Sequence, residues 1–304
     1  MMDMKYSSEV SDAKNNSRPI VALESTIITH GMPYPQNLDV ARKVENDVRS
    51  AGAVPATIAV LNGTLHIGLE TDELEQLAHA SDVAKLSRAD LAVCMASGGM
   101  GATTVAATMI AAQIAGISVF ATGGIGGVHK GAESSFDISA DLHEFAQTPV
   151  TVVAAGAKAI LDLPKTLEVL ETLGVPVVAF GQEAFPAFWS RTSNLDAPLR
   201  MDSAVEIAKA HAMRAALGLT GGQLVANPIP SEDEIPSEVL APIIERAQSD
   251  ANTQGIRGKA VTPFLLQRIF ELTEGHSLAA NIALVRNNAR LAAEIASQLC
   301  KIAV

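Results

Sequence analysis

Cysteine is scarce in this chain of 304 residues. Only Cys94 and Cys300 occur, without the paired spacing of a zinc cage or a disulfide framework, so a reducing compartment is the expectation. Aromatic residues make up just 4%, yet 48% of the chain is apolar, ample for a packed core and too hydrophobic for a disordered polymer. Positive charge is in short supply: 22 Lys and Arg face 33 Asp and Glu, a net charge of −11. Such a field repels a polyanion and excludes DNA or RNA as a polymeric partner. A small phosphate remains allowed, because screening cuts off exposed charges beyond about 8 Å and leaves local lysines and backbone amides free to act. No apolar run reaches about 18 residues without Gly, Pro or charge, so no membrane span is predicted. The polar segment 1–18 has neither a secretory core nor an Arg-rich transit pattern. It reads as a flexible tail before a single α/β domain over 19–304, and the cytoplasm is the expected location.

What is present alternates between strand and helix periods. Pro19 to Leu23 reads as a buried strand and Asn37 to Ala51 as an amphipathic helix. Asn62-Gly63 between Thr57–Leu61 and Thr64–Leu69 is a strong hairpin signal, which makes part of the sheet antiparallel. Three units then repeat strand, Gly turn and helix: Leu91–Ala96 with Thr103–Gly116, Ile117–Thr122 with Ser139–Gln147, and Val150–Ala154 with Lys158–Gly174. Val175–Phe180 and Gln223–Ala226 add strands around the helix Ser203–Leu217. From about residue 236 only helices are predicted. The expected fold is three-layer α/β/α with a mixed, mainly parallel sheet and a helical C-terminal part that wraps the sheet or forms an interface.

Two glycine-rich loops fall at predicted strand-to-helix junctions. Gly98-Gly99-Met100-Gly101-Ala102-Thr103-Thr104 could rest a phosphate on free helix-start amides, with Thr104 a candidate substrate contact, or be a tight turn with an ordinary Thr cap. It lacks the Lys of a Walker loop and the spacing of the dinucleotide fingerprint. Gly123-Gly124-Ile125-Gly126-Gly127-Val128-His129 holds four glycines in five residues, an entropic cost that close approach of a ligand would explain. His129 by itself is as readily a structural histidine.

Lys158 is the one charged side chain between Phe145 and Leu161. Among Ala, Val, Ile and Leu an ammonium loses hydration, which favours the neutral amine, a nucleophile toward carbonyl carbon. The plainer alternative is a helix-start lysine whose tip snorkels to water. Glu24 closes a buried strand, where α/β ligands bind and a carboxyl can serve as general acid, though a solvated strand end has the same pattern. Asp137 and Asp141 lie four apart and share a face whether the segment is helical or extended. They could meet the need of Mg²⁺ or Mn²⁺ for few carboxylates, or simply cap a helix with Ser139.

Taken together, Ala22-Leu-Glu-Ser-Thr-Ile-Ile-Thr-His-Gly-Met-Pro-Tyr-Pro-Gln-Asn37, Ala121-Thr-Gly-Gly-Ile-Gly-Gly-Val-His-Lys-Gly-Ala-Glu133, Phe136-Asp-Ile-Ser-Ala-Asp141, Ala155-Gly-Ala-Lys158 and Val261-Thr-Pro-Phe-Leu-Leu266 closely resemble the pseudouridine-5′-phosphate glycosidase family, which includes the indigoidine-cluster protein. The similarity runs from about Pro19 to Ile295. It implies reversible conversion of pseudouridine 5′-phosphate and water into uracil and ribose 5-phosphate, a homotrimer, and a divalent metal, usually Mn²⁺. By position, the resemblance makes Lys158 the nucleophile that forms an imine with ribose C1′ and Glu24 the proton donor that helps open the ring. Asp137 would hold the metal. Lys85, Val105, Ser139 and Asp141 match substrate contacts, with Lys85 and His129 facing phosphate or sugar and Asn281 a polar contact from the C-terminal helices. Where the family commonly carries Asn before Gly-Ala-Thr-Thr, this chain has Met100, which puts a base or sugar contact in that loop in doubt.

The chemistry suits these residues. Ordinary glycosidases expel a heteroatom between two carboxylates, whereas a carbon leaving group needs an amine nitrogen to push electrons as the C–C bond breaks. Two other classes fit parts of the pattern. A class I aldolase would use the same buried lysine, and a nucleotide-sensing module would keep the glycine loops without needing Lys158.

Overall fold

The computed structural model describes residues 4–302. Eleven strands are formed: β1 (Met4–Tyr6), β2 (Ile20–Leu23), β3 (Val54–Leu61), β4 (Thr64–Ile67), β5 (Ala84–Leu86), β6 (Gly101–Thr103), β7 (Val119–Ala121), β8 (Thr151–Ala154), β9 (Val177–Phe180), β10 (Leu199–Met201) and β11 (Gln223–Ala226). They make one sheet in the order β1-β4-β3-β2-β7-β8-β11-β9-β10, from which β6 and then β5 branch beside β3. β3 runs antiparallel to β4 and β6, and every other pairing in the sheet is parallel. The sheet is mixed and mainly parallel, as expected. Asn62 and Gly63, with φ of 51° and 76°, make the predicted hairpin turn. A side chain at Gly63 would lie 2.6 Å from the Met95 carbonyl, so only glycine closes this turn against its neighbour.

The central strands are apolar on both faces because helices cover both. Val152, Val153 and Ala154 of β8 and Leu224, Val225 and Ala226 of β11 are fully buried, and each such Val or Leu side chain contributes about 1.5–3 kcal/mol. The helices Gln36–Ser50, Ala204–Ala216 and His276–Ile302 pack together as one layer, and Val105–Ala115 with Ala140–Gln147 belong to the other. The C-terminal part is helical throughout: Ser237–Thr253, Val261–Leu272 and the 27-residue His276–Ile302. Among the described residues no helix is long and apolar enough to cross a membrane.

Three local expectations need correction. Residues 4–16 are not a loose tail: β1 pairs with β4, and the helix Ser8–Asn15 buries Val10 and Ala13 completely beneath a Ser7 cap. Residues 1–3 lie outside the described residues. Leu91–Ala96 is the body of a helix, Arg88–Ala96, because Ser87 and Asp90 form a reciprocal capping box that outweighs the apolar run. The helix expected from Lys158 begins only at Leu163, after the Asp162 cap and with Pro164 in its first turn, which leaves Lys158 in a loop.

Candidate active site

Parallel strands end together, and their register decides which side chains meet. In the β2–β7 pair Leu23 lies opposite Ala121, so the residues that follow, Glu24 and Thr122, emerge side by side. The Thr122 hydroxyl donates to Glu24 Oε1 and the Thr26 hydroxyl to Oε2. One strand further, β8 runs into Gly156 at φ 83°, a left-handed turn that leads to Lys158, whose N–H donates to the Ile125 carbonyl at 3.1 Å. Glu24 and Lys158 thus open on one cavity of about 800 Å³ at the carboxyl ends of the strands, where ligands of open α/β sheets bind.

Nine of the ten residues singled out from the sequence line that cavity: Glu24, Lys85, Thr104, Val105, His129, Ser139, Asp141, Lys158 and Asn281. Lys158 and Lys85 are half-buried, and both lie near enough to His129 to act on its charge. Burial pushes the His129 imidazole below its ordinary 6.5; nearby Asp137 opposes this, and the two lysines reinforce it. The ring is therefore neutral at neutral pH and able to accept a proton.

Asp137 stands apart, beside His129 but outside the cavity lining. Of the two aspartates expected to share a face, Asp141 lines the cavity and Asp137 does not. Asp141 instead accepts the N–H groups of Ala106 at 2.9 Å and Gly126 at 2.8 Å, so both its oxygens are committed to backbone. Among the described residues no group of three or more His, Cys, Asp and Glu could hold a metal. What remains is the single carboxylate of Asp137, which suits a hydrated Mg²⁺ or Mn²⁺ and no all-protein cage.

The glycine loops divide. Gly123, Gly124 and Gly126 line the cavity, whereas Gly98, Gly99, Met100 and Gly101 do not. For that first loop the sequence leaves an anion rest and a tight turn with a Thr cap both open. In the fold Gly98 and Gly99 end the helix Arg88–Ala96 and back the hairpin through Gly63 N–H to the Gly99 carbonyl at 2.9 Å, while Met100 packs toward Leu61 and Leu77. The Met100 departure therefore falls outside the cavity. Thr104 does cap a helix, Val105–Ala115, but Asp141 already accepts the Ala106 N–H of its first turn.

Several wall residues were not singled out. His30 lines the cavity, its imidazole pushed down by burial and by Lys85; the Ala22–Asn37 motif contains it without a role. Phe188 and Trp189 stack edge to face with centroids 4.9 Å apart, and a Cβ at Gly124 would sit 2.6 Å from the Phe188 ring. The glycine was visible in the sequence, but the long-range partner that requires it was not. Thr262, Pro263, Leu266 and Phe270 line the cavity from the helix Val261–Leu272.

The sequence matches the family described as indigoidine synthase A like protein over residues 9–298. The chain belongs to this family. It is 73% identical over 298 residues to a pseudouridine-5′-phosphate glycosidase of Roseobacter denitrificans, covering 98% of this chain and 96% of that protein. A protein of the same name from Jannaschia is 71% identical, with 98% and 99% covered. Among solved structures, the prealnumycin C-glycosynthase in complex with ribulose 5-phosphate superposes with a TM-score of 0.92 at 37% identity, covering 100% of this chain and 99% of that one. An indigoidine synthase A-like protein from Thermotoga maritima gives 0.89 at 34% identity, covering 98% and 97%. The fold of the indigoidine synthase A family is thus the fold of this chain.

Proposed function

We propose that this member of the family is a pseudouridine-5′-phosphate glycosidase that cleaves the C–C glycosidic bond reversibly through a lysine imine. The observation that carries the reading is the meeting of Lys158, Glu24 and a neutral His129 on one cavity, in a chain 73% identical to a named glycosidase of that type. The solved relative named a C-glycosynthase, in complex with a pentose phosphate, supports the same substrate class.

The amine of Lys158 attacks C1′ of the ribose. The C1′–O4′ bond breaks as the N–C1′ bond forms, and O4′ takes a proton from Glu24. The ammonium so formed gives a proton to the ring of His129, and the lone pair restored on nitrogen forms the C=N bond while the C1′–C5 bond to uracil breaks and C5 takes that proton. Water hydrolyses the imine, frees the amine and releases ribose 5-phosphate. The half-buried Lys85 gives the phosphate a local attraction that the net charge of −11 does not provide. Thr104, Ser139 and Asn281 supply polar contacts in this reading and Val105 an apolar one.

A divalent metal, Mn²⁺ first, belongs to the proposal: Asp137 would hold it through one carboxylate, and the ion would order water near the reacting base. A homotrimer also belongs to it. Phe136, next to Asp137, is 82% exposed, an apolar surface suited to cover by a neighbouring subunit. Free thiols at Cys94 and Cys300 agree with the reducing cytoplasm as the setting.

Borohydride reduction in the presence of ribose 5-phosphate tests the central step. The expected result is a sugar-phosphate mass gain on the peptide containing Lys158, with uracil released from pseudouridine 5′-phosphate by the untreated enzyme. An unmodified Lys158 peptide would overturn the imine.

A further inference from the structure

The residues that touch the cavity do not account for a fully buried polar chain behind it. Asn288, on the last helix, has no exposed surface and sits among Val285, Ala289, Leu291 and Ala292. Its amide donates to the Thr122 carbonyl at 2.8 Å and reaches the Gly123 carbonyl at 3.4 Å. Its Oδ1 accepts from Asn227 Nδ2 at 3.0 Å, and the Asn227 N–H donates to the Ala154 carbonyl at 2.8 Å. The Thr122 N–H in turn donates to the Val153 carbonyl at 3.0 Å. Thr122 is thereby fixed from the ends of β8 and β11 and from the last helix at once, while its hydroxyl donates to Glu24.

We propose that Thr122 and Asn288 are positioning residues that set the direction of the Glu24 carboxylate. Thr122 is 1% exposed and does not line the cavity, so it acts on a substrate only through Glu24. Asn288 acts one step further back, holding the Thr122 and Gly123 carbonyls that shape the start of the glycine loop. A buried amide on an apolar helix face is costly unless every group is bonded, and here both ends of the side chain are satisfied by the cavity's own scaffold. Asn281, two turns earlier on the same helix face, lines the cavity. One helix therefore brings both a wall residue and the anchor of the proton donor.

The inference rests on the reading of Glu24 as the ring-opening acid. Its test uses Thr122→Val, Thr122→Ser and Asn288→Leu in the full chain, with kinetics of uracil release, thermal midpoints and crystal structures. Thr122→Val is close in shape and keeps the fold. The expected result is a loss of about 10- to 100-fold in kcat with KM within about twofold of wild type, recovery in Thr122→Ser, and a Glu24 carboxylate displaced in the Thr122→Val crystal. Asn288→Leu is expected to shift Glu24 in the same direction; should it fail to fold, the Thr122 pair carries the test. A Glu24 carboxylate in its wild-type place in Thr122→Val overturns the positioning inference, whatever the rate. A wild type that releases no uracil, with Glu24 displaced in Thr122→Val, supports the positioning and overturns the glycosidase reading instead.

Discussion

Asp141 Oδ2 accepts the backbone N–H of Gly126 at 2.8 Å, and the same carboxylate holds the Ala106 N–H at 2.9 Å. One buried side chain thereby ties the cavity's glycine loop to the first turn of the helix Val105–Ala115. Removing it leaves two amides without their charged acceptor. Asp141→Ala is expected to destabilise the fold by about 1.5–3 kcal/mol, read as a lower midpoint in urea unfolding. An unchanged midpoint would return Asp141 to the list of pure substrate contacts.

Gly126 faces the same carboxylate from the other side. A Cβ there would lie 2.6 Å from Ser139 Cβ and 2.7 Å from Asp141 Oδ2, so Gly126→Ala forces both away from the cavity wall. Overpacking of this kind costs about 1–3 kcal/mol. The substrate KM is expected to rise as well, because Ser139 lines the cavity. Equilibrium unfolding and steady-state kinetics on the one variant check both effects.

These two sites show what the sequence discloses and what it withholds. The spacing of Asp137 and Asp141 is local, and the sequence shows it directly. That their carboxylates face different partners depends on where residues 106 and 126 arrive, which only the tertiary fold decides. The hairpin at Asn62-Gly63 was legible because its signal is two adjacent residues with positive φ. The strand expected at Leu91–Ala96 failed because apolar runs of that length fit either state, and the deciding Ser87–Asp90 box lies just outside the run. Glu24 and Lys158 could be picked out from strand ends alone, whereas Thr122, Asn227 and Asn288 could not. Their polarity has meaning only once β7, β11 and the last helix are brought together.

Asp137 offers a metal just one carboxylate, so the ion would be held mostly by water and exchange readily. Dialysis against a chelator is expected to lower turnover, and added Mn²⁺ to restore it. Asp137→Ala should raise the Mn²⁺ concentration needed for half-maximal restoration by about 10- to 100-fold. Turnover indifferent to both the chelator and the substitution would remove the metal from the proposal.

Four histidines share one electrostatic condition that makes stability depend on pH. Burial is the first cause that pushes His30, His66, His129 and His211 below the ordinary 6.5, with positive neighbours adding to it: Lys85 at His30 and His129, Lys5 at His66, Arg214 at His211. In the unfolded chain each binds a proton near pH 6.5, while in the fold it stays neutral to lower pH. Between those two points the unfolded state holds more protons, so stability rises with pH. The stabilisation is complete above about pH 6.5 and is lost as pH falls through the depressed folded values. Glu45 has the opposite sign: burial holds its carboxyl above the ordinary 4.5, which favours the fold on the acid side of its own titration. Thermal midpoints are therefore expected to be flat in these groups above pH 7 and to fall from pH 6.5 downward. His211, whose Nδ1 lies 2.9 Å from the Thr151 hydroxyl and which does not line the cavity, isolates the effect. In His211→Asn the acid-side slope should be shallower by one group's share, and a slope equal to wild type would show that His211 is protonated alike in both states.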